Sequence, residues 1–77
     1  MVKYTIIIER GKRNYSAYCP DLPGVIATGR THDEIMARMK EAIEFHVEGL
    51  QEQHVAIPAP STHAEIIEIS SQPQTCV

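Results

Sequence analysis

From residue 31 to about residue 53 the apolar positions recur with a helical period. At about 100° of rotation per residue, Ile35, Met39, Ala42, Ile43, His46 and Leu50 fall within one arc of roughly 100°. Arg38, Lys40, Glu41, Glu44, Glu48 and Glu52 occupy the remaining circumference, with the small Ala37 among them. Such a segment predicts one long helix that lays its stripe on something apolar and turns its charges to water. Its start is marked by Thr31 followed three residues later by Glu34, the capping-box spacing, in which a hydroxyl and a returning carboxylate each satisfy a backbone donor. Asp33 and Glu34 also suit the positive end of the helix dipole. One helix cannot bury its own stripe, so the other segments are expected to form a sheet beneath it.

Outside this stretch the period changes to two. Val2, Tyr4, Ile6 and Ile8 share one side of a first strand, and Ile7 lies on the other, which predicts a central place in the sheet. The charged turn Arg10-Gly11-Lys12-Arg13 leads into a second strand over residues 14–19, with Tyr15, Ala17 and Cys19 on one face and Ser16 and Tyr18 on the other. In Pro20-Asp21-Leu22-Pro23-Gly24, two prolines remove two backbone donors and fix two φ angles, so a rigid loop is expected there. A short third strand over residues 25–29 then runs into the Thr31 cap. After the helix, Pro58 and Pro60 favour an extended return path. Residues 64–70 read as a fourth strand, with Ile67 and Ile69 on one face and Ile66 on the other.

The expected fold class is therefore α+β: a β-β-β-α-β unit with one helix packed on a mixed sheet. If the returning strand lies beside the first, the strand order is 3-2-1-4, and any parallel crossover should be right-handed. Residues 1–70 form one expected domain. Residues 71–77, which include Pro73 and lack periodicity, are expected to be a disordered tail.

Composition narrows the function classes. A chain of 77 residues buries only about 60 to 65 % of its unfolded surface, so a partner, either a second copy or another protein, is a physical expectation. Ten acidic against seven basic residues give a net charge of −3, which argues against a mainly electrostatic grip on nucleic acid and mildly favours a basic partner. Cys19 and Cys76 are too few for a disulfide framework or a cysteine metal site. A reducing compartment fits, and no segment reads as a signal peptide or membrane span, so a cytoplasmic protein is expected.

Candidate chemistry is sparse. His32, His46, His54 and His63 include no pair at the i, i+4 spacing of a helical zinc site. His46 stands in the apolar stripe where Leu would be the plain choice; it reads as a core residue with its ring nitrogens satisfied locally, beside a ligand or switch role. Cys19 reads as a structural thiol. Asp21 is the best single carboxylate for a metal-dependent nuclease, but such chemistry needs a second carboxylate or a metal cage. No catalytic residue, metal ligand or cofactor site is assigned. Arg10, Lys12 and Arg13 form the one basic cluster, and with Tyr15 or Tyr18 as a stacking platform they would suit a homo-oligomeric nucleic-acid-binding regulator. A solvated hairpin turn explains them as well, and charges there would discourage edge pairing.

The run Tyr15-Ser16-Ala17-Tyr18-Cys19-Pro20-Asp21-Leu22-Pro23-Gly24, then Ala27-Thr28-Gly29 with Thr31 and Glu34 opening a helix, resembles the HicB family of type II toxin-antitoxin antitoxins. The helix end Ala42-Ile43-Glu44-Phe45-His46-Val47-Glu48-Gly49-Leu50, followed by Ile57-Pro58-Ala59-Pro60-Ser61, resembles the same family's closing pattern, so the likeness covers about residues 3–70. It implies a partial ribonuclease H-like fold without that enzyme's metal-binding carboxylates. It further implies a non-enzymatic protein that binds a small, basic HicA-type messenger-RNA interferase and occludes its active surface, with charge complementarity guiding the encounter. Many family members continue into an operator-binding domain; no segment of that length follows Ser70, so direct DNA binding is not expected of these residues. For the toxin-contacting surface the expectation is Tyr18, Pro20, Asp21, Leu22, Pro23 and Gly24, because a preformed loop loses little entropy on association.

Overall fold

The alternation of residues 15–19 becomes the middle of a sheet. A computed structural model describes residues 2–70 and contains three strands followed by one helix: β1 (Ile7–Arg10), β2 (Tyr15–Tyr18), β3 (Ile26–Gly29) and α1 (His32–Glu52). Both pairings are antiparallel and the order is β1-β2-β3, with Ile7 opposite Tyr18 and Tyr18 opposite Ile26. Ala17 and Cys19 point inward and are buried, as the period-two pattern requires, while Ser16 and Tyr18 face out.

The helix begins and ends close to the expected residues. Thr31 accepts a hydrogen bond from the Glu34 N–H through its hydroxyl at 3.1 Å. The returning Glu34 carboxylate differs from the expected box: it accepts from the N–H of Arg30 at 3.0 Å, one residue before the cap, and pairs with Arg38. At the other end His54 adopts a left-handed φ of 56°, its N–H reaching the Gln51 carbonyl and that of Val55 the Leu50 carbonyl, the Schellman arrangement.

The core is built from Ala17, Cys19, Leu22, Val25, Ile35 and Met39, with Tyr4, Ile6, Ile8, Ala42, Ile43 and Val47 packed against it. A helix of 21 residues is about 31 Å long, whereas a strand of four residues spans about 13 Å. The sheet therefore supports the first half of the stripe fully, at Ile35 and Met39, and the second half only in part. His46 is half-buried at the side of the helix and has no recorded hydrogen bond among the described residues, so it is not the locally satisfied core histidine that its place in the stripe suggested.

The return segment departs from expectation. Residues 54–69 carry neither helix nor strand, and residues 64–70 are not part of the sheet, so β1 is an edge strand here and not the central one. Ile66, Ile67 and Ile69 stand 95 %, 80 % and 68 % exposed. Strand propensity reports how well a segment fits a pleated, half-covered surface; it does not say which chain supplies that surface. The expected tail, residues 71–77, lies outside the described residues.

Helix and sheet come close at Gly29, where an added Cβ would stand 2.9 Å from the Ile35 backbone nitrogen. Gly29→Ala should therefore lower stability by about 1 to 3 kcal/mol in thermal or denaturant unfolding. Gly49→Ala, on the helix with open space around it, should raise stability by about 0.5 to 1 kcal/mol. Equal effects at the two positions would contradict this packing.

Candidate partner-binding surface

The loop between β2 and β3 is two successive tight turns. The Leu22 N–H donates to the Cys19 carbonyl and the Val25 N–H to the Leu22 carbonyl, at 3.2 Å each, while Cys19 N–H to Val25 carbonyl continues the ladder. Pro20 and Pro23 each occupy the second position of a turn, where no N–H is required, and Gly24 supplies the φ of +88° that the third position of a type II turn demands. This explains why two prolines fit so close to a strand pair.

The turns send neighbouring side chains in opposite directions. Leu22 is fully buried and plugs the core beneath Ile35 and Met39, so it is not part of a docking surface. Asp21 points toward the returning chain. Its carboxylate accepts from the Ser61 N–H (3.1 Å), the Ser61 hydroxyl (3.0 Å), the Thr62 N–H (3.1 Å) and the Thr62 hydroxyl (2.8 Å). The Thr5 hydroxyl donates to the Thr62 carbonyl at 3.0 Å, and the Tyr4 hydroxyl to the Pro58 carbonyl, fastening the same segment to the N-terminal stretch. Asp21 is thus an anchor with both oxygens engaged. Of the loop residues expected at a partner surface, Pro20, Pro23 and Gly24 remain exposed, as does Tyr18 just before them.

Beside them lies an apolar row that alternation alone did not single out. On the sheet face away from the helix, Ile7, Tyr18 and Ile26 line up across the three strands, with Tyr18 42 % and Ile26 73 % exposed. Ser16 and Thr28 continue that face toward the hairpin. Ile26 also borders an open groove between the start of β3 and the second half of α1, walled by Phe45, His46 and Leu50. An uncovered apolar row continuous with a rigid loop is the kind of surface that marks protein association.

The basic turn has a different character. Arg10, Lys12 and Arg13 are exposed, and Arg30 joins them at the same end of the sheet. Tyr15 lies directly opposite Arg10 across β1 and β2 and borders the cluster, half-buried and packed partly against the core, whereas Tyr18 lies three residues along the strand, about 10 Å away. Among the described residues, no three His, Cys, Asp or Glu side chains come together as a metal site would need, and no helix is long and apolar enough to cross a membrane.

Residues 4–74 match the model of the HicB-like antitoxins of bacterial toxin-antitoxin systems, and the chain belongs to that family. Among curated relatives, an uncharacterised 14.9 kDa protein of Haemophilus phage HP1 is 42 % identical over 55 residues, covering 71 % of this chain but 41 % of the phage protein's own length. A UPF0150 protein of Synechocystis is 36 % identical over 56 residues, 71 % of each chain. Another UPF0150 protein, from Thermoplasma acidophilum, is 36 % identical over 58 residues, 74 % of this chain and 84 % of its own. Among solved structures, a chain of the HicA3 and HicB3 toxin-antitoxin complex superposes with a TM-score of 0.66 at 28 % identity, covering 78 % of this chain and 70 % of that one.

Hydrogen bonds from Thr62 and Ser61 hold the Asp21 carboxyl below its ordinary value of 3.8. A carboxyl whose folded pKa is depressed adds stability above its unfolded pKa and loses it as pH falls through the folded one. The fastening of residues 58–62 should therefore be intact at neutral pH and loosen below about pH 4. In limited proteolysis with an acid-active protease, cleavage in this segment should rise below that pH. Asp21→Asn should show raised cleavage at neutral pH; protection unchanged by pH and by the substitution would contradict the anchor.

Proposed function

We propose that this chain is a toxin-neutralising binding protein, which covers the active surface of a small, basic HicA-type messenger-RNA interferase and performs no chemistry itself. The observation that carries this reading is the likeness to a chain of the HicA3 and HicB3 complex, joined to membership of the antitoxin family. The contact surface in this proposal is the outer sheet face with its loop: Ile7, Tyr18 and Ile26 as apolar anchors, and Pro20, Pro23 and Gly24 as a preformed rim. Leu22 and Asp21 support it from behind, one by filling the core and one by holding the return chain. A net charge of −3 favours a basic partner and raises the rate of encounter.

The same reading takes the sheet as a partial ribonuclease H-like one, with the place beside β1 suited to a fourth strand, and takes the protein to act in the cytoplasm. The Asp21 carboxylate, engaged by four hydrogen bonds from Ser61 and Thr62, is poorly disposed to hold a metal for nuclease chemistry.

Co-expression with a small basic HicA-type toxin, sought first among the genes beside this one, should give a complex and relieve that toxin's growth arrest. Ile26→Asp replaces an exposed side chain, so the fold should survive, while complex affinity should fall by about tenfold or more. No complex with the wild-type chain would refute the function. A complex indifferent to Ile26→Asp would move the contact to another face.

A further inference from the structure

We infer that residues 64–69 are an exchanged arm: they complete the β1 edge of a second copy of this chain, which returns its own arm to the first. The inference is independent of the toxin reading and concerns the β1 edge, which adjoins the outer face.

The arm is a strand without a sheet. Ile66, Ile67 and Ile69 are 95 %, 80 % and 68 % exposed, an unusual density of solvent-facing β-branched side chains in six residues. It leaves the body immediately after the anchor at Ser61 and Thr62, so its root is held while its length projects. The Cα radius of gyration is 15.3 Å and the extents are 48 × 26 × 20 Å, where a compact chain of this size would have a radius of about 11 Å.

The β1 edge is a sheet without a strand. Its outer hydrogen-bonding side is unpaired, and residues 2–6 continue it as extended chain with no strand partner. Its pattern matches that of the arm. β1 and its approach place Ile6 and Ile8 on the core side and Ile7 on the outer face; the arm carries Ile67 and Ile69 on one face and Ile66 on the other. Laid alongside, the arm would widen the core side by two isoleucines and lengthen the Ile7, Tyr18 and Ile26 row by one. Charge agrees, since the arm carries Glu65 and Glu68, and β1 ends at the Arg10, Lys12 and Arg13 turn, beside Arg30.

A second copy fits this better than a foreign chain. The arm stands off its own β1 edge, and a two-fold exchange between identical chains would fill the spare strand and the β1 edge of both molecules at once, whereas a foreign chain leaves one of them exposed. Mutual exchange also adds buried apolar surface to a domain that has little of its own.

The test is sedimentation equilibrium of the full chain at neutral pH, with the Ile67→Glu/Ile69→Glu variant in parallel. The wild type should sediment at twice its 8.6 kDa mass. Because both altered side chains are exposed in the protomer, the variant should keep the wild-type circular dichroism and weaken self-association by about 100-fold. In a sample mixing labelled and unlabelled chains, filtered NOEs should join arm isoleucine methyls of one chain to the β1 region of another. A monomeric wild type, a dimer indifferent to the double variant, or arm-to-β1 NOEs confined to one chain would overturn the inference.

Discussion

A single helix laid across three four-residue strands can cover only one face of the sheet, and only along part of the helix's own length. That constraint governs everything else in this molecule. Among the described residues, the large side chains that lose all contact with water are Leu22, Ile35 and Met39. They meet where the helix comes down on β3, at a separation only glycine at position 29 permits. Beyond that seat the helix overhangs, leaving a groove at Phe45 and His46, and the outer sheet face keeps its apolar row in solvent. A domain with so small a core gains most by giving its remaining apolar surface to another protein.

The loop between β2 and β3 links this core to the rest of the chain. Its paired turns fix the backbone without using either proline nitrogen, drop Leu22 into the interior and aim Asp21 outward at Ser61 and Thr62. A segment rich in turn residues therefore acts as core plug, anchor and rigid outer rim together. The rim and the neighbouring Tyr18 and Ile26 are pre-organised, so little ordering entropy is lost when a partner is bound.

Local chemistry made much of this legible in the chain itself. The Thr31 cap, the helical period and the alternation of Tyr15, Ala17 and Cys19 each depend on residues close in sequence, and each is found where the pattern places it. The misreadings involve distance along the chain. Residues 64–70 have the composition of a strand, but pairing needs an edge, and composition does not identify one. Leu22 stands between two prolines in a polar loop and reads as exposed; a lone leucine between two tight turns was the available sign of a core plug. Asp21 looked like a possible reactive or contact group because its four donors lie some forty residues away. His46 belongs to the helical stripe, yet its surroundings depend on where the sheet stops, which periodicity along the helix does not record.

Family membership and the likeness to a HicA3 and HicB3 complex chain agree with a molecule whose fold displays apolar surface to solvent. The central claim is that the uncovered outer face of the sheet is the working surface. Methyl cross-saturation of the complex with a small basic HicA-type toxin tests it most directly. The account predicts strong transfer to the methyls of Ile26 and Ile7 and none to those of Ile35, buried on the opposite side of the sheet; transfer confined to the helix and sparing Ile26 and Ile7 would contradict it.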